Sequence, residues 1–389
     1  DEPYNEEGMI TISDKSLCCG CTACMNACPA QCIVMRRDRE GFDYPVANPD
    51  RCIGCGKCEK VCPVLNPCQP AEPLCALAAR SDEYVSGSAS GGVFPAVAAN
   101  VIAAAGVVYG AVLNEDMTVG HADAEDMEAV GRMRGSKYVQ SDLYGTFEEV
   151  SYYLGEGRRV MFTGTPCQIA GLKSFLGKED ENLLTVDCAC HGVPSPGLWE
   201  KYVKAIENKH GAKVTDVRFR DKAQSWMHYD FVYAAGGQEV RMPYIKNPYM
   251  ALFLQDMSLR PSCYKCPARG GRSGSDLTLA DLWNVAAAAP GMNDDKGASL
   301  ILVNTEKGRK ALAGVPTSEV DMAAAVRNNG GFAESIAEPE RRAEFFKGHH
   351  SAKDLIKYMK GFVVRKPLYI IIYRSVRSGL SALKRRICR

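Results

Sequence analysis

Apolar positions along this chain gather into short runs separated by glycine, proline and small polar residues. Val107 to Leu113, Val160 to Thr163, Leu183 to Val186, Val214 to Phe219, Tyr229 to Tyr233 and Leu300 to Val303 are compact apolar stretches of strand length. They predict buried strands. Helical spacing runs over Val93 to Ala105, closed by Gly106, and again over Gln168 to Leu176 and Leu198 to Asn208. Strands and helices mixed over this length predict an α+β or α/β body with a mixed sheet. The N-terminal part reads differently. It is rich in cysteine, and Pro63, Pro67, Pro70 and Pro73 form a stiff, helix-free link after it. The pattern therefore divides the chain into residues 1–75, 76–354 and 355–389.

The last stretch is set apart by charge. From Leu355 to Arg389 there are ten Lys or Arg and no Asp or Glu. Leu368, Ile371, Ile372, Val376, Leu380, Leu383 and Ile387 recur at helical spacing, with Arg374, Arg377, Lys384, Arg385 and Arg386 between them. This predicts a basic amphipathic helix after Pro367. Two readings stand: a terminal helix packed on the body, or peripheral attachment to an anionic membrane surface. Elsewhere composition narrows the field. Hydrophobic content of 46%, charge of 24% and a net charge of +1 are those of a soluble globular chain with no global pull toward nucleic acid. No apolar run reaches membrane-spanning length.

The chemistry lies in the cysteines, 18 in all. Cys18, Cys21, Cys24 and Cys28, followed by Pro29, spell C-x2-C-x2-C-x3-C-P. Cys52, Cys55, Cys58 and Cys62, followed by Pro63, repeat it. This doubled run is the bacterial signature for two [4Fe–4S] clusters. A cubane needs four converging thiolates; a tight loop supplies three, and the last cysteine of each run ligates the other cluster. One cluster then takes Cys18, Cys21, Cys24 and Cys62, and the other Cys52, Cys55, Cys58 and Cys28. Gly20, Gly54 and Gly56 let backbone amides approach cluster sulfur. Zinc prefers C-x2-4-C pairs with a longer spacer. A disulfide framework fits neither the clustering nor the lack of a leader pattern ahead of the first run. Clusters and many free thiols point to a reducing, cytoplasmic setting, with the inner face of the membrane as the tail's alternative. Cys19, Cys32, Cys68 and Cys75 fall outside the pattern and read as small buried or partly buried side chains.

Four more cysteines have marked contexts. Cys167 and Cys190 follow predicted strands, and Cys263 and Cys266 form a C-x2-C loop. Two strand ends and one loop could converge four thiols on a third [4Fe–4S] cluster, with Cys188 in reserve. A structural zinc at the C-x2-C pair, or separate buried thiols, are the competing readings. Ser86 to Gly92 is a small-residue loop before a predicted helix. It reads either as an anion cradle of free N–H groups or as a plain connector. No G-x-G-x-x-G fingerprint and no Walker loop is present.

The phrases Gly135-Ser136-Lys137-Tyr138-Val139-Gln140-Ser141, Thr163-Gly164-Thr165-Pro166-Cys167-Gln168, Cys190-His191-Gly192-Val193-Pro194-Ser195, Phe219-Arg220-Asp221-Lys222 and Ser262-Cys263-Tyr264-Lys265-Cys266 carry a resemblance. They resemble the coenzyme F420 hydrogenase/dehydrogenase beta-subunit family, in its bacterial branch with a fused N-terminal ferredoxin module. The resemblance covers roughly residues 10–285. It implies a 2[4Fe–4S] ferredoxin-like domain followed by a mixed-sheet α/β flavin-binding domain that holds FAD and one further [4Fe–4S] cluster. It also implies an oxidoreductase that exchanges electrons with deazaflavin coenzyme F420, NAD(P)H or ferredoxin. The sequence departs from the family at Ser225-Trp226 and Ala280-Asp281-Leu282-Trp283-Asn284, where glycines are usual, so the fit of the flavin is open there.

On this resemblance Ser90, Gly91 and Gly92 become the pyrophosphate cradle. Ser136, Lys137 and Tyr138 come next, the Lys to offset phosphate charge and the Tyr to stack. Lys137, His191, Arg220 and Lys222 are the candidates for proton relay and for lining the pocket where substrate meets flavin. Each also has a plain reading as a solvated charge or a satisfied local partner. A flavin suits the place between clusters and substrate because it handles one electron or two. The alternative function is a non-catalytic electron-transfer subunit that docks on a partner oxidoreductase, including one in polysaccharide biosynthesis. For the tail, removing residues 367–389 is expected to lower sedimentation with anionic liposomes. Unchanged binding would leave only the packed-helix reading.

Overall fold

The computed structural model describes residues 9–364. The segment after Pro367 that carries the predicted basic helix lies outside them. Cysteine loops shape the N-terminal module. α1 (Ala23–Asn26) and α2 (Lys57–Lys60) are single helical turns inside the two cysteine runs. Between them β1 (Ile33–Arg37) pairs antiparallel with β2 (Asp43–Ala47). The module core is largely sulfur, with Cys24, Cys32 and Cys58 packed against Ile10 and Ile33. So small an apolar core needs a covalent or metal staple to hold it.

The larger body begins at β3 (Cys75–Ala79). It continues through α3 (Val93–Ala103), β4 (Val107–Leu113), β5 (Val119–Ala124), α4 (Met127–Met133), α5 (Thr146–Gly155), β6 (Val160–Gly164), α6 (Pro166–Leu176), β7 (Leu183–Cys188) and α7 (Pro196–His210). Then come β8 (Val214–Asp221), β9 (Asp230–Ala235), β10 (Gln238–Pro243), α8 (Pro248–Leu254), β11 (Leu277–Asp281), β12 (Ser299–Val303) and β13 (Thr317–Glu319). Eight strands make one mixed sheet in the order β13-β3-β12-β11-β7-β6-β4-β5. Its centre, β11, β7, β6 and β4, is parallel, and antiparallel strands flank it on both sides.

Alternation along the central strands covers both faces. Val108, Met161 and Leu184 join Val93 and Val97 of α3 and Val130 of α4 on one side. Val107, Tyr109, Val160, Phe162 and Leu183 join Phe147 of α5 and Ile169 and Leu172 of α6 on the other. A sheet covered twice is what parallel strands require. The antiparallel sheet β10-β9-β8 with α7 and α8 forms a third, aromatic-rich cluster around Trp199, Phe219, Phe231 and Tyr249. That cluster also takes Phe42 and Tyr44 from the N-terminal module and Leu355, Met359 and Phe362 from the start of the basic tail.

The module sits hard against α6. A Cβ added at Gly171 would meet Cys21 Cβ at 2.7 Å and its Sγ at 2.9 Å. Cys19, Cys21 and Ala23 are buried in the same cluster as Ile169 and Leu172. Gly171→Val is therefore expected to cost about 1–3 kcal/mol through overpacking and to loosen the first cysteine loop. Chemical denaturation followed at the cluster absorbance would check it; an unchanged midpoint would contradict the close approach.

Candidate electron-transfer site

Two thiol sets lie in the N-terminal module. Cys18, Cys24 and Cys62 lie within one another's electrostatic field, and Cys21 is buried beside them in the loop. Burial pushes the Cys24 thiol up to about 12, and the neighbouring Cys18, Cys62 and Cys58 add to it. A cation is needed to hold such sulfurs as thiolates together, so metal loading and proton release are coupled. Cys28, Cys52, Cys55 and Cys58 line one small hollow together with Cys32. Cys32 Sγ lies 3.4 Å from Cys28 Sγ. Cys55 is exposed, whereas Cys18, Cys21 and Cys24 are buried. The first set, facing the body, is proximal; the second, at the surface, is distal.

The third set is positioned by the sheet. β6 and β7 are parallel neighbours in register from Val160↔Leu183 to Gly164↔Asp187, so their carboxyl ends emerge together. Cys167 follows β6 in the first turn of α6, whose start is fixed by a capping box between Thr165 and Gln168. Cys190 follows β7. Cys263 lies in the 3-10 turn Pro261–Lys265 and Cys266 directly after it. Burial raises the Cys263 thiol, and Cys190, Cys167 and Cys266 raise it further. Burial likewise lifts Cys266 to about 11, with Cys167 and Cys190 contributing. The four sulfurs thus lie within one another's electrostatic field in one partly buried region. Cys188 is exposed and contacts the Cys190 thiol.

Sequence reasoning missed the surroundings of two residues here. Cys19 is buried, as its sequence context predicted, and its thiol titration is shifted by the nearby Cys167 and Cys21 thiols. It stands between the proximal and third sets. Arg269 is 4% exposed, donates to the His191 carbonyl at 2.9 Å and leaves its Nε without a partner. Its charge bears on Cys190 and Cys266. The adjacent Cys18-Cys19 pair is visible in sequence, but only the packing against α6 shows what the second sulfur faces.

The proposed flavin residues fall into two linked groups. Ser90 Oγ donates to the Ala298 carbonyl at 2.9 Å, and Gly91 N–H donates to Ser299 Oγ at 2.9 Å. Gly92 is the N-cap of α3. Lys222 Nζ donates to the carbonyls of Ser90 and Lys296, both at 2.6 Å. Burial and the Arg220 charge lower Lys222 to about 8. Arg220, at the end of β8, binds Asp281 Oδ2 at 2.6 Å through Nη1. Its Nε and Nη2 are buried with no partner. The guanidinium lies over the rings of Tyr229, at 4.9 Å, and Trp283, at 5.4 Å. The two sequence departures meet here, for Trp226 stacks on Trp283 and donates to Asp281.

Tyr138 and His191 connect this pocket to the third thiol set. Tyr138 contributes to the field at Arg220 and stacks on Phe253 with centroids 4.6 Å apart. His191, next to Cys190, meets the same Phe253 edge-on at 5.1 Å. Its Nε2 lies 2.6 Å from Asp256 Oδ1, near enough for an ion pair but misaligned for a hydrogen bond. Ser136 lies beside these residues in the chain, and among the described residues its side chain makes no hydrogen bond to the pocket. Lys137 turns elsewhere. Its ammonium donates to the Arg132 and Arg134 carbonyls, both at 2.9 Å, and closes the C-terminus of α4.

A doubled cysteine module joined to an α/β body with a further group of partly buried thiols has the make-up of an iron–sulfur electron-transfer protein. Residues 17–66 match the family model for the 4Fe-4S dicluster domain. Residues 157–326 match the model for the C terminus of the coenzyme F420 hydrogenase/dehydrogenase beta subunit. The chain thus joins a 4Fe–4S dicluster domain to a region similar to the C terminus of that beta subunit. Among solved structures, it is similar to a chain of the F420-reducing [NiFe] hydrogenase complex from Methanosarcina barkeri. That likeness has 14% identity and a TM-score of 0.45, and it covers 73% of this chain and 95% of that one. No curated protein matches the chain. No helix among the described residues is long and apolar enough to cross a membrane.

Two measurements follow from this geometry. Cys263→Ala is expected to lower iron from about twelve to about eight per chain, the count for losing one cubane of three. Eight in the unmodified chain would remove the third set. Lys137 offers a pH signature. Burial, aided by Arg132, lowers it to about 7 from 10.5. Between those values the unfolded chain holds the proton that the folded chain has lost, so folding stability rises with pH across that window. Denaturant titrations at several pH values should show this slope, and Lys137→Met should flatten it.

Proposed function

We propose that the chain is an iron–sulfur flavoprotein oxidoreductase that passes electrons between its clusters and FAD, and from there to or from a two-electron carrier. The observation that carries this reading is Arg220. A guanidinium held among Tyr229, Trp283 and Tyr138, with two buried N–H groups unpartnered, is a site built for an anionic, aromatic ligand. The flavin phosphates and ring system have that chemistry. Lys222 ties Arg220's strand to the Ser90-Gly91-Gly92 loop through the Ser90 carbonyl, which supports reading loop and cation as one site, although the Gly91 N–H is already held by Ser299 Oγ. Asp281 and Lys222 hold the local charge balance, and Tyr138 and Trp283 offer faces for stacking.

The cysteines divide the remaining work. Cys18, Cys21, Cys24 and Cys62 would hold the proximal cluster, and Cys28, Cys52, Cys55 and Cys58 the distal one. Cys167, Cys190, Cys263 and Cys266 would hold the third. Clusters exchange single electrons, and a bound flavin converts these to the two-electron chemistry of a hydride carrier. His191 and Tyr138 span the gap between the third thiol set and the Arg220 pocket, where His191 is placed to move a proton with Asp256 as its partner. The carrier is of the deazaflavin, nicotinamide or ferredoxin class. The beta-subunit likeness also makes a partner oxidoreductase part of the proposal.

The chain purified without oxygen is expected to hold FAD and to bleach with one of reduced deazaflavin, NADPH or reduced ferredoxin. Arg220→Met should cut flavin occupancy at least tenfold while leaving iron unchanged. A wild-type chain with full iron and no flavin after reconstitution would sink the enzyme reading and leave a plain electron-transfer subunit.

A further inference from the structure

Arg260 is 1% exposed, among the largest fully buried side chains described. Its guanidinium reaches from the body into the first cysteine loop. Nε donates to the Cys18 carbonyl at 2.7 Å, and Nη2 lies 3.6 Å from Cys18 Sγ. Nη1 donates to Gln140 Oε1 at 3.0 Å, and Nη2 also to the Asp43 carbonyl at 2.9 Å. The Tyr44 ring covers it at 4.2 Å. Gly20, with φ of +70°, leaves the room it needs; a Cβ there would meet Nη1 at 2.8 Å.

Each of the three guanidinium nitrogens donates, yet the charge is not matched. Among the described residues no carboxylate pairs with Arg260, and Asp43's own carboxylate is engaged by Arg37. An isolated buried cation is costly unless an opposite charge lies close. The nearest candidate for that charge is the sulfur of Cys18. A [4Fe–4S] centre with four thiolates is anionic, and gains a further negative charge on reduction. A cation fixed in a dry site beside it favours the reduced state.

We propose that Arg260 is a positioning residue that takes the proximal cluster as its counter-ion and raises that cluster's reduction potential. The same residue also touches the third set, because its carbonyl accepts the Cys263 N–H at 2.9 Å and so anchors that set's loop. This inference rests on the cluster assignments above.

The test is a potentiometric titration followed by electron paramagnetic resonance on the full chain, with iron measured in each sample. Cys55→Ser marks the distal signal. Arg260→Gln is expected to shift the proximal reduction equilibrium at least tenfold toward the oxidised state, which is 59 mV for one electron. The distal signal should stay in place. Arg260→Lys, which keeps the charge, should load iron and hold the equilibrium within threefold of wild type. An unmoved proximal signal in Arg260→Gln overturns the proposal. So does a tenfold shift in Arg260→Lys, or loss of the cluster from both variants, since charge alone would then not be the cause. A wild-type chain that loads no iron would instead overturn the cluster reading beneath it.

Discussion

Parallel strands that pair in register leave a sheet at the same edge, and the residues that follow them start from neighbouring points. Here β6 and β7 pair in that way, so Cys167 and Cys190 begin close together although twenty-odd residues separate them. β11 is parallel to β7 and delivers Asp281 and Trp283 along the same edge. The larger domain's chemistry is thus gathered at the carboxyl ends of its parallel strands, where open α/β sheets generally form their sites. The capping box at Thr165 and the turn around Cys263 then set the final directions.

The packing of the N-terminal module follows from that edge. Its first cysteine loop lies on α6, the helix that carries Cys167, and the approach is close enough that residue 171 can carry no side chain. Cys19 faces Cys167 across this contact, while Cys18 receives Arg260. Phe42 and Tyr44 enter the aromatic cluster of the body. The module is therefore not a bead on a flexible tether. Burial of shared apolar surface holds the thiol sets at fixed separations, which a sequential electron path requires.

Much of this was legible beforehand, and the gaps have physical reasons. Val107–Leu113 was read to the residue because a long apolar run is bounded by Gly106 and a polar turn. β3 went unread because its sequence, Cys-Ala-Leu-Ala-Ala, lacks the β-branched and aromatic side chains that mark strands. Its place between β12 and β13 overrides that preference. The strand at Val119–Ala124 contains glycine, histidine and aspartate, and only its pairing with β4 makes it a strand. The two N-terminal cysteine runs are legible in their spacing, whereas the dispersed cysteines of the third set are not, and rested on local context and resemblance. Arg260 and Arg269 were not legible, because a buried arginine is identified by what surrounds it, and those surroundings come from distant parts of the chain.

Exposure of the thiol sets is greatest at the distal one. Cys55 is open to solvent with Gly54 and Gly56 beside it in open space, whereas the next set inward is closed over by the body. Oxygen and peroxide attack sulfur and iron where they can reach them. Damage in air should consequently begin at one end and spare the interior. On the proposed electron path, that surface loop would act as the fuse of the molecule. A chain that has failed there would keep its inner centres intact but isolated, unable to leak electrons onto oxygen.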